Sequence, residues 1–361
     1  MKKTISILIS AVLALGMLAS CGTAPASTAQ STSQKDASSQ AVVSQSGAST
    51  SSNSSASVPA AERTAFRIAS LKGPTTMGLV KLMQDKEDGT ARHDYNVTMY
   101  GAADEIAPQL IKGDIDVALV PCNLASVLYN KTKGKIKMAA INTLGVLYVV
   151  ETGDTIKSVA DLKGKTIYTT GKGTTPEYVL NYVLEQNGLK AGTDVMIEYK
   201  SEATEVAAAM QASKDIAVAM LPQPYVTTLA MKNDKLRVAL DMTKEWDKVS
   251  TGSSLVTGVV VARAEFIEQN EAAFNEFLED YKQSTEFVNA NVDKAADLVV
   301  KYEIVPKAPI AVKAIPACNI TFINGEEMQA KASGYLKVLS AANMEAVGGA
   351  LPNDDFYYIK K

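Results

Sequence analysis

Two short stretches of this chain combine glycine, threonine and lysine in a way that could hold a polar or anionic group. The first is Lys72-Gly73-Pro74-Thr75-Thr76-Met77 and the second is Gly171-Lys172-Gly173-Thr174-Thr175-Pro176. A strand-like segment precedes each, 66–71 in one case and 166–170 in the other. Apolar residues at helical spacing follow: Met77, Leu79, Val80, Leu82 and Met83 after the first, Tyr178, Val179, Tyr182 and Val183 after the second. A helix start leaves backbone N–H groups unpaired and carries the positive end of the helix dipole, so such turns favour an electron-rich ligand atom. The threonines also cap helices, a role compatible with a ligand contact. Lys72 and Lys172 would meet an anion as point charges.

Other reactive side chains point away from catalysis. The only histidine, His93, lies in a polar segment (85–94) that reads as a solvated loop. A Ser-His-Asp or Cys-His unit would have to be built on it alone, and two-histidine metal motifs are excluded. No catalytic residue, metal or cofactor is expected. The five arginines, Arg63, Arg67, Arg92, Arg237 and Arg263, all fall outside the candidate turns, which disfavours a bidentate grip on a carboxylate or phosphate. Gly164-Lys165-Thr166 invites a phosphate-loop reading, which fails because position 159 is valine and the triplet precedes a strand. Tyr100, Tyr168, Tyr225, Trp246 and Phe322 are candidate stacking faces for a planar ligand. Trp246, in a polar return segment, is either a cleft lid or a surface-packed indole.

The elements that must position these turns alternate strand and helix. A strand at 96–100 ends in Gly101-Ala102-Ala103, and Asp104-Glu105 opens a helix that Gly113 terminates. The apolar run 116–120 reads as a strand buried on both faces, and Pro121-Cys122-Asn123 starts the next helix. Two strands are expected within 136–150, around Asn142-Thr143-Leu144-Gly145. A second strand–helix series follows to about residue 240, with Pro222-Gln223-Pro224 as one of its turns. A strand at 254–262 then returns to the first series, helices follow at 271–289, 294–302 and 325–341, and the tail from 348 packs on the surface. In an open parallel sheet the C-terminal strand ends line one crevice, where ligands bind. The expected fold is α/β with two lobes, one inserted in the other: residues 64–150 plus 255–361 form one lobe and 151–254 the other. The crossings near 145–155 and 245–258 would let the lobes open and close.

The N-terminus has the pattern of an export signal: Lys2 and Lys3, an apolar run from Ile5 to Met17, then Leu18-Ala19-Ser20-Cys21. That tetrad resembles a bacterial lipobox, which implies cleavage after residue 20, a diacylglycerol on Cys21 and a lipid anchor on the extracytoplasmic face of the membrane. Residues 22–61 are almost all small and polar and are expected to form a disordered tether. The net charge of −3 shows no basic footprint for nucleic acid. Export permits a disulfide between Cys122 and Cys318, but two buried thiols are the favoured reading.

From about residue 65 to 345 the chain resembles the extracytoplasmic solute-binding proteins of ABC importers. The branch is the two-lobe, type II one that includes binders of thiamine pyrimidine precursors, sulfonates, nitrate and riboflavin. The resemblance is carried by the lipobox and Ser-rich tether, the strand–Gly-Pro-Thr–helix opening, Gly113-Asp114-Ile115-Asp116-Val117-Ala118, and Asp161-Leu162-Lys163-Gly164-Lys165-Thr166-Ile167. It implies a periplasmic-binding-protein-like monomer that closes on a small solute and delivers it to a permease driven by ATPase subunits. By position it implies ligand contacts from Lys72, Gly73, Pro74, Thr75, Thr76, Met77, Gly101, Ala102, Asp104, Pro121, Cys122 and Asn123 in one lobe. The other lobe would supply Thr170, Lys172, Gly173, Thr174, Thr175 and Gln223, with Thr143 and Gly145 at the hinge. The expected solute is a small planar vitamin precursor, ahead of a sulfonate or nitrate. An exported enzyme or an adhesin on the same fold is the alternative.

Overall fold

The computed structural model describes residues 63–213 and 215–360. The export stretch, Cys21 and the tether lie outside them.

The apolar runs become eleven strands among the described residues, divided between two sheets. The first series is β1 (Ala65–Leu71), β2 (Asp94–Tyr100), β3 (Val117–Pro121) and β4 (Ile136–Thr143). The second is β5 (Leu147–Glu151), β6 (Thr166–Thr169), β7 (Met196–Tyr199), β8 (Val218–Pro222) and β9 (Arg237–Asp241). The chain then returns as β10 (Gly258–Arg263) and β11 (Ile320–Ile323). One sheet has the order β11-β4-β10-β3-β1-β2 and the other β7-β6-β8-β5-β9.

Both sheets follow one plan. β1, β2 and β3 are parallel, as are β6, β7 and β8, with helices as crossovers. The strand that enters each sheet from a lobe crossing runs against them: β10 lies antiparallel between β3 and β4, and β5 antiparallel between β8 and β9. A chain that arrives from the other lobe starts at the crossing end of the sheet and can only run away from it. Parallel strands that end there therefore point their C-terminal turns at the gap.

Pairing moves the lobe boundary. A boundary at residue 150 would leave most of β5 in the first lobe, yet Leu147 to Glu151 pair with β8 and β9 in the second sheet. The first crossing is therefore only 144–146, and the second is 250–257, between helix Met242–Val249 and β10. The crossings touch. A Cβ on Gly145 would sit 2.0 Å from Thr243 Oγ1 and 2.3 Å from Leu255 Cδ2, so only glycine fits there. Helix Gly325–Ala342 lies on the second crossing, where a Cβ on Gly334 would be 2.5 Å from the Gly252 carbonyl oxygen.

Three expectations are corrected. His93 is not a solvated loop residue: it is 5% exposed, its Nδ1 accepts from the Thr64 N–H at 3.2 Å, and its Nε2 lies 2.8 Å from Glu276 Oε2. Trp246 is neither a lid nor a surface indole. It is fully buried on helix Met242–Val249, whose apolar positions 242, 246 and 249 form one face. Asp241 caps that helix by accepting from the Thr243 N–H at 3.0 Å. The tail does more than cover the surface, because Phe356 is buried against Tyr129 with ring centroids 5.0 Å apart. Cys122 and Cys318 are free, buried thiols, as favoured.

Each lobe uses arginine as a structural pin at the end of its sheet away from the gap. Asp116 accepts from Arg67 Nε at 2.9 Å and from Arg263 Nη2 at 2.9 Å, tying β1, the start of β3 and the end of β10 together. Burial would raise the Asp116 carboxyl, but the bonds from Arg67 and Arg263 outweigh it and hold the group below its ordinary range. In the second lobe the buried Glu151 pairs with Arg237 and accepts from the Thr155 and Ile156 N–H groups, with the same downward result.

Candidate solute-binding cleft

A cavity of about 850 Å³ opens between the lobes. One wall is the face of helix Ala103–Lys112 that carries Ala103, Asp104, Ala107, Pro108, Ile111 and Lys112. Pro121, Asn123 and Leu124 at the start of helix Cys122–Lys131 continue that wall, and Thr174, Thr175 and Pro176 of the second lobe face it. Thr257, from the second crossing, also lines the cavity. The lobes come together at one edge, where Thr175 Oγ1 lies 3.5 Å from Asn123 Oδ1.

Of the expected site residues, Asp104, Pro121, Asn123, Thr174 and Thr175 line this cavity. The opening turn does not. Lys72 extends the ladder through its N–H to the Tyr100 carbonyl at 2.9 Å and exposes its side chain. Gly73 (φ 135°) and Pro74 start a four-residue helix that also holds Thr75. The Thr76 hydroxyl is consumed inside the lobe, 2.7 Å from Ser70 Oγ and 2.5 Å from the Leu71 carbonyl. Met77 is core, packed with Val80 and Val299, and Cys122 is core with Ala125 and Leu128; neither is available to a ligand. Burial pushes the Cys122 thiol well up, which leaves it uncharged.

The glycine-rich turns are capped by the chain's own acids. Glu105 Oε1 accepts from the Ala102 N–H at 3.0 Å, beside Gly101. Glu177 accepts from the Gly173 N–H, and the Thr174 hydroxyl donates to the Gly171 carbonyl at 2.7 Å. Lys172 reaches over the Tyr199 ring at 5.9 Å, and Thr170 accepts at its carbonyl from Thr169 Oγ1. The Gln223 side chain accepts from Thr227 Oγ1 at 2.8 Å, while its N–H bonds the Val146 carbonyl at 3.0 Å across the first crossing.

The hinge is polar and unsatisfied. Both amide atoms of Asn142 and the hydroxyls of Thr143, Thr243 and Thr257 are buried without a hydrogen-bond partner. So is the hydroxyl of Tyr335 on helix Gly325–Ala342, a fully buried residue whose ring lies 5.6 Å from Trp246. Its hydroxyl neighbours Thr175 of the second lobe. Native structures leave few buried polar atoms unpaired, so this concentration at one place needs an explanation. Gly145 belongs to the hinge as expected, its carbonyl accepting from Asn319 Nδ2.

Sequence reasoning missed Thr257 and Tyr335. Thr257 sits in a strand-like run, and Tyr335 shares a helix face with Met328, Ala332, Leu336 and Leu339, a spacing that reads as ordinary core. Only the unpaired hydroxyls distinguish them.

This is the two-lobe, type II periplasmic-binding-protein fold: two like sheets, two crossings and a cleft at the C-terminal strand ends. A structure described as an ABC transporter from Parabacteroides distasonis superposes with a TM-score of 0.68 at 24% identity, over 82% of this chain and 100% of that one. The periplasmic aliphatic sulphonate binding protein of Escherichia coli gives 0.67 at 18% identity, over 83% and 94%. A family model described as NMT1/THI5 like matches residues 138–295. A Brucella abortus protein, named as a binding protein, is 29% identical over 194 residues, 54% of this chain. The match spans 58% of the length of that relative.

Proposed function

We propose that this chain is the extracytoplasmic solute receptor of an ABC importer. The lobes close on a small solute, and the loaded receptor presents it to a permease whose ATPase subunits drive uptake. The observation that carries this reading is the cavity of about 850 Å³ lined from both lobes and from the second crossing. A ligand that touches both lobes favours the closed arrangement by its differential affinity, which is what a receptor of this kind requires. The ABC-transporter structure and the aliphatic sulphonate binding protein that share the fold support transport as the use of the cleft. The chain is placed at the membrane by a diacylglycerol on Cys21 and works as a monomer. An exported enzyme is the weaker reading: His93 is committed to Thr64 and Glu276, and no described cluster of His, Cys, Asp and Glu could hold a metal ion.

The test is reconstitution. In proteoliposomes with its permease and ATPase subunits, the chain should raise ATP hydrolysis in the presence of solute and drive solute uptake. Steady chemical turnover of the bound compound would overturn the receptor reading.

A further inference from the structure

Resting on the receptor reading only for the motion of the lobes, we propose that they turn about a single residue, Val146. Asn319 is the positioning residue that fixes this pivot.

Each peptide unit of the first crossing is held by one lobe. The first lobe grips it through Asn319, just before β11. The Leu144 N–H donates to the Asn319 carbonyl at 3.1 Å, and Asn319 Nδ2 donates to the Gly145 carbonyl. The second lobe grips the next unit, because the Gln223 N–H donates to the Val146 carbonyl at 3.0 Å. A peptide unit is planar, so the one joining Gly145 to Val146 moves with the first lobe and the one joining Val146 to Leu147 moves with the second. Only the φ and ψ of Val146 lie between them. Asn319 makes both of its bonds from a left-handed backbone (φ 45°), which asparagine adopts more readily than most residues.

The second crossing is built differently. Its ends are anchored, the Ser250 N–H to the Trp246 carbonyl at 2.9 Å and the Thr257 N–H to the Thr143 carbonyl at 3.0 Å. Among the described residues, 251–256 make no backbone–backbone hydrogen bond, so rotation there is spread over the whole segment. The crossings touch at Gly145, against Thr243 and Leu255, which places the axis where both pass. Close by, the Tyr148 hydroxyl donates to the Ala317 carbonyl at 2.8 Å, a bond between the lobes that holds the arrangement seen. The unpartnered hydroxyls of Thr143, Thr243 and Thr257 also lie at the crossings. A rotation that admits water there satisfies them, which favours a joint that moves over one that is locked.

The test is pulsed electron resonance on the full chain in detergent, with spin labels at Lys72→Cys and Lys172→Cys and no solute added. Val146→Gly removes the β-branch that restricts the joint and should broaden the distribution of inter-lobe distances by about 1.5-fold or more. Asn319→Gly keeps the positive φ, deletes the amide that holds Gly145, and should broaden the distribution in the same way. It decides the matter if Val146→Gly, at a buried position, fails to fold. Thr251→Gly gives the same freedom to the second crossing and should leave the width unchanged. A lowered Tm without broadening in Asn319→Gly would mark a merely structural role and overturn its assignment. Broadening by Thr251→Gly as large as that by Val146→Gly, or broadening by none of the three, would overturn the pivot. Solute uptake by the reconstituted parent chain would in that case leave the receptor reading intact.

Discussion

Asp116→Asn is the perturbation whose consequence follows most directly from the structure. The Asp116 side chain is 3% exposed and accepts from two guanidinium groups and from the Arg67 N–H at 3.1 Å. Breaking a buried ion pair by removing one partner costs about 3–5 kcal/mol. Arg67 is half exposed and regains water when its partner goes, so the lower end applies, about 3 kcal/mol. The pH dependence has a definite sign. Asp116 titrates lower in the folded chain than in the unfolded one, so its contribution is complete above roughly pH 4–5 and is lost as the pH falls through the folded value. Urea unfolding at pH 7, followed by Trp246 fluorescence and by circular dichroism, should show the variant less stable by that amount. At pH 3 the gap between variant and parent should narrow. A loss under about 0.5 kcal/mol at pH 7, typical of surface changes, or a gap that widens in acid, would refute the reasoning.

Three further outcomes are expected. Gly145→Ala drives a methyl into Thr243 and Leu255 and should destabilise by about 1–3 kcal/mol through overpacking, read as a lowered Tm. Thr175→Val removes a hydroxyl from the cavity wall and the contact with Asn123. Solute affinity should fall about three- to tenfold in a fluorescence titration while Tm stays within a degree or two. Cys122 and Cys318 should ignore an aqueous thiol reagent in the native chain and react after denaturation without reductant; silence after denaturation would indicate a bridge.

The strand–helix alternation, the order of the turns and the return of the chain near residue 258 were legible because each depends on local apolar periodicity and turn residues. The lobe boundary was not. β4 and β5 are separated by only Leu144, Gly145 and Val146, and nothing local says that the chain changes sheets there. Trp246 was misread because its helix carries charge at positions 244, 245, 247 and 248, which hides a three-residue apolar face. His93 looked solvated because Glu276, its partner, is 183 residues away in sequence. At the cleft, Asn123, Thr174 and Thr175 could be anticipated as strand-end turns. The self-capping of the Ala102 N–H by Glu105 and of the Gly173 N–H by Glu177 was not anticipated, because it depends on how each side chain folds back over its own turn. Thr76, Met77 and Cys122 show the limit of naming whole turns, since some side chains of each turn are buried in the core.

The central claim is that two lobes close on a solute. Spin labels at Lys72→Cys and Lys172→Cys, both exposed and on opposite lobes, report the distance between the jaws by pulsed electron resonance. Saturation with a compound that shifts Trp246 fluorescence should shorten and narrow that distance distribution. An unchanged distribution at saturation would contradict the account.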